Sequence, residues 1–199
     1  MHVDAWLPRA AAAHPRRIAV GALGDAELLA EAQAGARRLA ARGVRPGDRV
    51  ALALAPGEPF VVALHACLLL GAVAVPLDPR LPGEEAARRA AGCAVLVDAP
   101  LDGVQDTGAP LGAAHDLTAP AVIVHTSGTT AAARPIRLTY GNWLWSALGS
   151  AVALGHGPDE RWLCCLPVAH VGGLSILLRS VIAGTTAVLH ERFDTERVL

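Results

Sequence analysis

Residues 60–77, FVVALHACLLLGAVAVPL, decide the fold. The run is almost entirely apolar and approaches the roughly 20 residues that a membrane-spanning helix needs. However, Gly71 divides the run, His65 lies inside its first part, and its second part, AVAVPL, is typical of a buried strand. We therefore predict a buried helix over 60–70 followed by a buried strand over 72–77, with a membrane span as the alternative.

The same alternation continues on both sides of this run. Buried strands that alternate with helices are typical of a parallel sheet that is covered on both faces. The predicted fold class is therefore α/β, with a layered parallel sheet flanked by helices. Strands are predicted over 49–54, 93–98, 121–126, 161–167 and 185–190, and helices over 26–42, 82–92, 140–155 and 173–183. Another helix begins at 194 or 195, and residues 98–120 show no clear period.

The composition limits the classes of partner and compartment. The chain is 53% hydrophobic but only 4% aromatic, so its core must be aliphatic and rich in alanine. A formal net charge of -1 gives no electrostatic reason to expect nucleic acid or a membrane as a partner. The four cysteines lack metal-ligand spacing, and the N-terminus lacks the apolar core of a signal peptide. We expect a reduced, cytoplasmic protein without stable membrane insertion.

The strand predicted over 121–126 leads directly into the hydroxyl-rich sequence TSGTT at residues 126–130. In open parallel sheets, ligands bind at the carboxyl ends of the strands. Small residues let backbone N–H groups approach an anion, and the hydroxyls add further donors. The stretch is not a Walker A loop, because that motif needs G-x-x-x-x-G-K-[ST]. Composition alone leaves two interpretations open, a phosphate-binding loop and an ordinary Ser/Thr/Gly turn.

The longer stretch TSGTTAAARPIRLTYGN, residues 126–142, resembles the phosphate-binding motif T-S-G-T-T-G-x-P-K-G of the AMP-forming (adenylate-forming) acyl-CoA synthetase superfamily. The segments GVRPGDRVALAL (43–54), FVVALHACLLLGAVAVPLDPRL (60–81) and RWLCCLPVAHVGGLSILLRSVIAGTTAVLHERFD (161–194) follow in the order and spacing of that superfamily. The resemblance covers residues 6–199. Residues 140–150 and 161–194 look most like the o-succinylbenzoate–CoA ligases of menaquinone biosynthesis.

This resemblance implies an ATP-dependent acid–thiol ligase. In that chemistry a carboxylate attacks the α-phosphate of Mg·ATP, which gives an acyl-adenylate and pyrophosphate, and coenzyme A then displaces AMP. The implied ligands are a small carboxylic acid, ATP, Mg²⁺ and coenzyme A. The motif assigns the β- and γ-phosphates to Thr126, Ser127, Gly128, Thr129 and Thr130, with Thr130 also in the magnesium environment, and it puts Arg134 where the family usually has lysine.

Three residues depart from the motif of the superfamily. Ala131 replaces a glycine, Ala133 a proline and Arg134 the lysine. Arg134 keeps the positive charge, and the chain contains no lysine at all. If the replaced glycine has positive φ, alanine at 131 costs about 1–2 kcal/mol. Losing the proline at 133 frees a loop that should be stiff. We therefore expect weakened nucleotide binding.

A second group of candidate residues lies in LPVAHVGGLS, residues 166–175. By the resemblance, His170 borders the reacting carboxylate and gates the acyl site, while Gly172 and Gly173 let substrate or nucleotide approach the backbone. A structural histidine is the alternative for His170. Arg179 is an isolated charge in the apolar run LSILLRSVIAG. One interpretation is structural: Arg179 makes an ion pair, or it buries its aliphatic stem and keeps its charged group in water. The other is that it binds a second carboxylate of a dicarboxylic substrate.

The resemblance also implies segments that these 199 residues do not contain: a Tyr-x-x-Thr-Glu stretch, a ribose-binding aspartate, and a C-terminal lid domain with a catalytic lysine. We therefore expect residues 1–199 to be a partial AMP-binding N-terminal domain that lacks the catalytic lid and is inactive alone. The alternative is a degenerate, non-catalytic module that binds a nucleotide or a protein. An unfinished sheet edge would favour oligomerisation.

Overall fold

The computed structural model of the protein describes residues 1–103, 108–126, 133–157 and 159–198. Helices in these ranges are α1 Trp6–Ala13, α2 Asp25–Ala41, α3 Glu58–Leu70, α4 Gly83–Ala90, α5 Tyr140–Leu154, α6 Val171–Ala183 and α7 Thr195–Val198. Strands in these ranges are β1 His2–Asp4, β2 Ile18–Val20, β3 Leu23–Gly24, β4 Arg49–Leu52, β5 Val73–Pro76, β6 Val95–Val97, β7 Ala114–Asp116, β8 Pro120–His125, β9 Pro135–Thr139, β10 Arg161–Cys164 and β11 Thr186–Leu189.

The α/β class is confirmed, and most strand pairs are parallel. A five-stranded sheet has the order β6-β4-β5-β8-β9, in which β9 alone is antiparallel to its neighbour. A four-stranded sheet has the order β10-β11-β2-β3, in which β3 is antiparallel to β2. A small antiparallel ribbon pairs β1 with β7. The chain therefore builds two sheets and a ribbon around its helices.

The decisive run at 60–77 forms α3 and β5, as predicted. Gly71 ends α3 in the left-handed conformation, with φ of 74°, which a residue with a side chain rarely adopts. All four residues of β5 are buried, because helices or loops cover both faces of this strand. None of the described helices is long and apolar enough to cross a membrane.

The main hydrophobic core lies between the two sheets. Val50 and Val122 of the five-stranded sheet belong to it, and so do Val20 and Ala187 of the four-stranded sheet. The helices α1, α2, α3, α5 and α6 contribute most of its other buried side chains. A smaller cluster, which includes Val75 and Ile123, lies on the opposite face of the five-stranded sheet, next to α4. Each sheet therefore contributes a face to one shared, helix-filled core.

Several short elements were not predicted from the sequence. The region 98–120 contains β7, which pairs with β1 at the N-terminus. Strand β9 follows the hydroxyl-rich stretch and pairs with β8 along its length. Its residues are mostly exposed, so it lacks the apolar run by which the other strands were predicted. Edge strands with a polar outer side are difficult to find from hydrophobic pattern alone.

Candidate functional site

The carboxyl ends of strands from both sheets meet at one cavity of about 420 Å³. Its walls come from the segments that directly follow β4, β5, β10 and β11. Apolar side chains such as Leu77, Val168 and Phe193 line it together with the charged residues Asp78 and Arg80. A largely apolar cleft with a few polar groups at strand ends is the usual form of a small-molecule site in α/β proteins.

The hydroxyl-rich loop leaves the sheet at the same edge. Thr126 directly follows β8, which is the parallel neighbour of β5. Thr126 N donates to Arg134 O at 3.0 Å, and Arg134 N donates to Thr126 Oγ1 at 3.1 Å. These two bonds close the base of the loop and leave the hydroxyl proton of Thr126, an exposed residue, free to be donated.

The remaining loop assignments cannot be placed in the same way. Ser127, Gly128, Thr129 and Thr130 lie outside the described residues, as does Ala131. Arg134 is exposed at the base of the loop, opposite Thr126. The structure therefore places the two ends of the predicted phosphate loop at the edge where ligands of such sheets bind.

His170 is the N-cap residue of α6 and lies next to the cavity wall at Ala169. Its carbonyl accepts the first helical hydrogen bond, from Leu174 N at 3.1 Å, and its own N–H donates to Pro167 O at 3.0 Å. These bonds fix the backbone, while the residue itself is exposed and its side chain makes no capping bond. The imidazole is thus available to a ligand at the positive end of a helix dipole.

Gly172 and Gly173 lie in the first turn of α6, where the helix packs against the preceding turn. A Cβ added at Gly173 would come within 2.6 Å of Pro167 O and 2.8 Å of Leu166 O. One added at Gly172 would meet only the flexible end of the Leu166 side chain, at 2.9 Å. Close packing is therefore sufficient reason for glycine at 173, and the predicted substrate contacts of both glycines stay predictions.

Arg179 lies in the C-terminal half of α6 and contacts two neighbours, Trp162 and Ser150. Its guanidinium carbon lies 3.7 Å from the ring centroid of Trp162, and NH1 donates to Ser150 Oγ at 3.1 Å. Its Nε atom is buried without a hydrogen-bond partner, and no carboxylate of the described residues lies within salt-bridge distance. Burial lowers the pKa of Arg179, with Glu160 acting in the opposite direction. The predicted internal ion pair is not formed in the described part of the chain.

Two charged residues of the site were missed in the sequence. Asp78 and Arg80 follow β5 and form a bidentate pair, with distances of 2.9 Å and 2.8 Å. Hydrogen bonding to Arg80 lowers the pKa of Asp78 to about 2, and the nearby His170 adds to this effect. The signal was present, because the sequence LDPR at 77–80 stands at the carboxyl end of a predicted strand, the same position that drew attention to Thr126.

The described residues contain no group of three or more His, Cys, Asp or Glu side chains that could hold a metal ion. All four cysteines are free. Cys164 is buried beneath α6, with its Sγ 3.5 Å from Gly173 O. Mg²⁺ usually takes only one or two protein ligands together with waters and substrate phosphates, and Thr130, the predicted contributor, lies outside the described ranges.

A family model for AMP-binding enzymes matches residues 7–110 and 95–199. The 2-succinylbenzoate–CoA ligases of Bacillus licheniformis and Bacillus subtilis are 36% and 35% identical to this chain, each over 98% of it. The alignments cover 46% and 45% of those proteins. The chain therefore spans about half the length of these relatives.

Solved structures agree with the sequence comparison. The o-succinylbenzoate coenzyme A synthetase from Bacillus subtilis, in complex with ATP and magnesium ion, superimposes on 100% of this chain with a TM-score of 0.92 and 32% identity. The chain covers 60% of that structure. The same synthetase in complex with its acyl-adenylate intermediate gives a TM-score of 0.92 at 33% identity, and the chain covers 58% of it.

Proposed function

Because the chain belongs to the family of AMP-binding enzymes, we propose that it forms the part of a 2-succinylbenzoate–CoA ligase that binds ATP and the carboxylic acid. The observation that carries this proposal is the likeness of the whole described fold to a synthetase in complex with ATP and magnesium ion. The cavity at the carboxyl ends of the strands, whose wall at Ala169 adjoins His170, supports it.

In this proposal the nucleotide lies along the edge where β8 and β5 end. The hydroxyl and backbone groups at residues 126–130 donate to the β- and γ-phosphates, and Arg134 supplies positive charge at the loop base. Mg²⁺, when bound, neutralises phosphate charge, and Thr130 contributes to its environment. Such fixed donors stabilise the charge that develops as the carboxylate attacks the α-phosphate and pyrophosphate leaves. Coenzyme A is the second acceptor, and its thiol displaces AMP to form the thioester.

His170 and Arg179 together suit a dicarboxylic acid. His170 is the N-cap residue of α6 and Arg179 lies nine residues further on, so the two are about 13.5 Å apart along the helix axis at ~1.5 Å per residue. The exposed His170 borders the carboxylate that reacts. The guanidinium of Arg179, which is partly buried and whose Nε has no partner among the described residues, binds the second carboxylate, because a partner of opposite sign favours a partly buried charge. This assignment uses the alternative for Arg179 that the sequence left open.

A hydrolysis-resistant 2-succinylbenzoyl-adenylate analogue, titrated calorimetrically into the 199-residue chain, tests the proposal. We expect saturable binding that His170→Ala weakens. A second analogue without the benzoate carboxylate should bind about 10- to 100-fold less tightly, since a charge-assisted hydrogen bond contributes roughly 1.5–3 kcal/mol. In Arg179→Gln this difference should disappear. Arg16→Gln, at an exposed position, serves as the control.

Equal affinity of the two analogues for the unmodified chain would contradict the role of Arg179. Failure of every adenylate analogue to bind would favour the non-catalytic alternative, in which the substitutions at 131, 133 and 134 have removed nucleotide binding. The chain alone is proposed to be inactive, so pyrophosphate release from ATP that depends on 2-succinylbenzoate would overturn that part. Oligomerisation stays a prediction, for which light scattering is the direct test.

A further inference from the structure

A second cavity, of about 180 Å³, lies on the other face of the five-stranded sheet, next to α4. Val75 and Ile123 form its apolar floor, and both belong to the small core cluster of that face. Its charged lining consists of Arg49, Arg88, Arg89, Glu85 and His125. This site shares no lining residue with the cavity at the strand ends, but it borders the base of the hydroxyl-rich loop through Ala133 and Pro135.

The positive charges of this cavity exceed the negative ones. Three arginines face a single carboxylate, that of Glu85. Glu85 Oε1 lies 2.6 Å from Arg89 Nε, and Glu85 Oε2 pairs with Arg88. Arg49 has no carboxylate of the described residues within salt-bridge distance. The carboxylate of Glu85 is thus shared by Arg88 and Arg89, and the positive charge of Arg49 is not neutralised by a carboxylate of the described residues.

His125 adds a polar atom that also lacks a partner. It follows Ile123 on the same face of β8, because alternate residues of a strand face the same way. Its Nδ1 atom is buried and has no hydrogen-bond partner among the described residues. Burial and the charge of Arg89 both lower the pKa of His125. A buried imidazole nitrogen without a partner is uncommon in folded proteins, and a bound ligand is one way to satisfy it.

We propose that this cavity is an oxyanion site that binds a phosphate dianion, free or as a phosphate monoester. The excess of two guanidinium charges matches a dianion, and guanidinium groups fit phosphate oxygens through paired N–H donors. The volume of about 180 Å³ has room for a phosphate group and a small ester substituent. The proposal does not rest on the function proposed for the strand-end cavity.

Equilibrium dialysis of the 199-residue chain against inorganic phosphate and, separately, glycerol 3-phosphate tests the site. The buffer is held at constant ionic strength and at an alkaline pH, well above the second pKa of both ligands, which is ~6 for a phosphate monoester and higher for inorganic phosphate, so that both are dianions. Arg49→Gln and Arg89→Gln should each weaken binding about tenfold or more, and Arg16→Gln should not. The ligand that binds more tightly identifies free or esterified phosphate as the source.

The stability of the free protein provides a second readout. Since Arg49 has no ion-pair partner among the described residues, Arg49→Gln should unfold, without phosphate, at the same temperature as the unmodified chain or higher. At one phosphate concentration, the unfolding temperature of the unmodified chain and of Arg16→Gln should rise more than that of Arg49→Gln. Absence of phosphate binding to the unmodified chain, or unchanged affinity in both variants, would overturn the proposal. Loss of binding in Arg134→Gln instead would assign the phosphate to the hydroxyl loop and overturn it as well.

Discussion

At the scale of single residues, Gly173 shows how a motif glycine serves packing. Its α-carbon faces the carbonyls of Leu166 and Pro167 so closely that no side chain fits without moving backbone. We expect Gly173→Ala to lower the free energy of unfolding by about 1–3 kcal/mol, the usual cost of overpacking. Urea unfolding of the chain measures this.

A matched control lies in α5. A Cβ added at Gly149 would meet nothing within 4 Å, so Gly149→Ala should leave stability unchanged or raise it by roughly 0.5–1 kcal/mol. Gly172→Ala should fall between the two, since only the Leu166 side chain must move. Equal effects at 172 and 173 would show that backbone approach is not the reason for glycine at 173.

The ion pair of Arg17 and Asp25 is the second feature at this scale. Arg17 NH2 lies 2.6 Å from Asp25 Oδ2, Asp25 is 1% exposed, and Arg17 also donates to Gly184 O at the end of α6. Burial raises the pKa of Asp25, and the Arg17 charge opposes this rise. Arg17 therefore links the start of α2, through Asp25, to the end of α6, through Gly184. The buried carboxylate of Asp25 depends on the positive charge of Arg17 to remain ionised.

Removing only one partner should be costly. Arg17→Met leaves a buried carboxylate alone and should destabilise the fold by about 3–5 kcal/mol. The double variant Arg17→Met/Asp25→Leu should recover most of that loss, because no unpaired charge remains. Chemical unfolding of the two single variants and the double variant gives the coupling energy. Additive losses would mean that the two charges do not interact.

At the scale of elements, α5 begins with a reciprocal cap that the sequence TYGN at 139–142 encodes. Thr139 Oγ1 accepts from Asn142 N at 3.1 Å, and Asn142 Oδ1 accepts from Thr139 N at 2.9 Å. Both donors are otherwise unpaired groups at the start of a helix. The cap thereby fixes the point at which β9 ends and α5 starts.

Thr139→Ala should therefore cost about 1 kcal/mol of stability, within a usual range of roughly 0.5–2 kcal/mol. Ser146→Ala, at an exposed position inside α5, is the control and should change stability by less than about 0.5 kcal/mol. Thermal unfolding of both variants is the measurement. An equal loss of stability in both variants would exclude the cap as its cause, because alanine has a higher helix propensity than serine and Ser146→Ala should not destabilise α5.

At the scale of the whole molecule, two buried histidines predict sensitivity to acid. His65 is 3% exposed in α3, and His115 is 5% exposed, with its ring stacked on Tyr140 at 4.2 Å. Burial lowers the pKa of each from 6.5 to about 4. Both imidazoles are therefore neutral in the folded protein at pH values where they are charged in the unfolded chain.

The sign of the pH effect follows from these pKa values. Above pH 6.5 neither state binds the proton, and between 6.5 and about 4 only the unfolded state does. Stability should therefore fall as the pH drops through this window, by up to about 1.4 kcal/mol per pH unit for each histidine. Urea unfolding across this window should show a shallower slope for His115→Gln. His14→Gln, at an exposed position, should keep the full slope, and a slope that is equal in all three proteins would exclude His115 as a cause.

Much of the fold could be predicted because its signals are local. The apolar run at 60–77 specifies α3 and β5 from periodicity and one glycine, and the hydroxyl stretch at 126–130 marks a strand end. The pairing of distant strands could not be predicted from the sequence. Strand β1 lies beside β7, more than a hundred residues along the chain, and β9 has no apolar pattern of its own. Such contacts depend on distant segments that no window of sequence includes.

The sequence by itself determined the alternation of helices and strands, the class of the fold, and the chemical character of the loop after β8. These follow from backbone sterics and from which side chains avoid water. Only the tertiary structure decided that Asp78 lies near His170, that Gly173 is confined by the carbonyls of Leu166 and Pro167, and that three arginines share one carboxylate beside α4. The physical reason is that electrostatic and steric contacts depend on distances in space, and the packing of separate elements sets those distances.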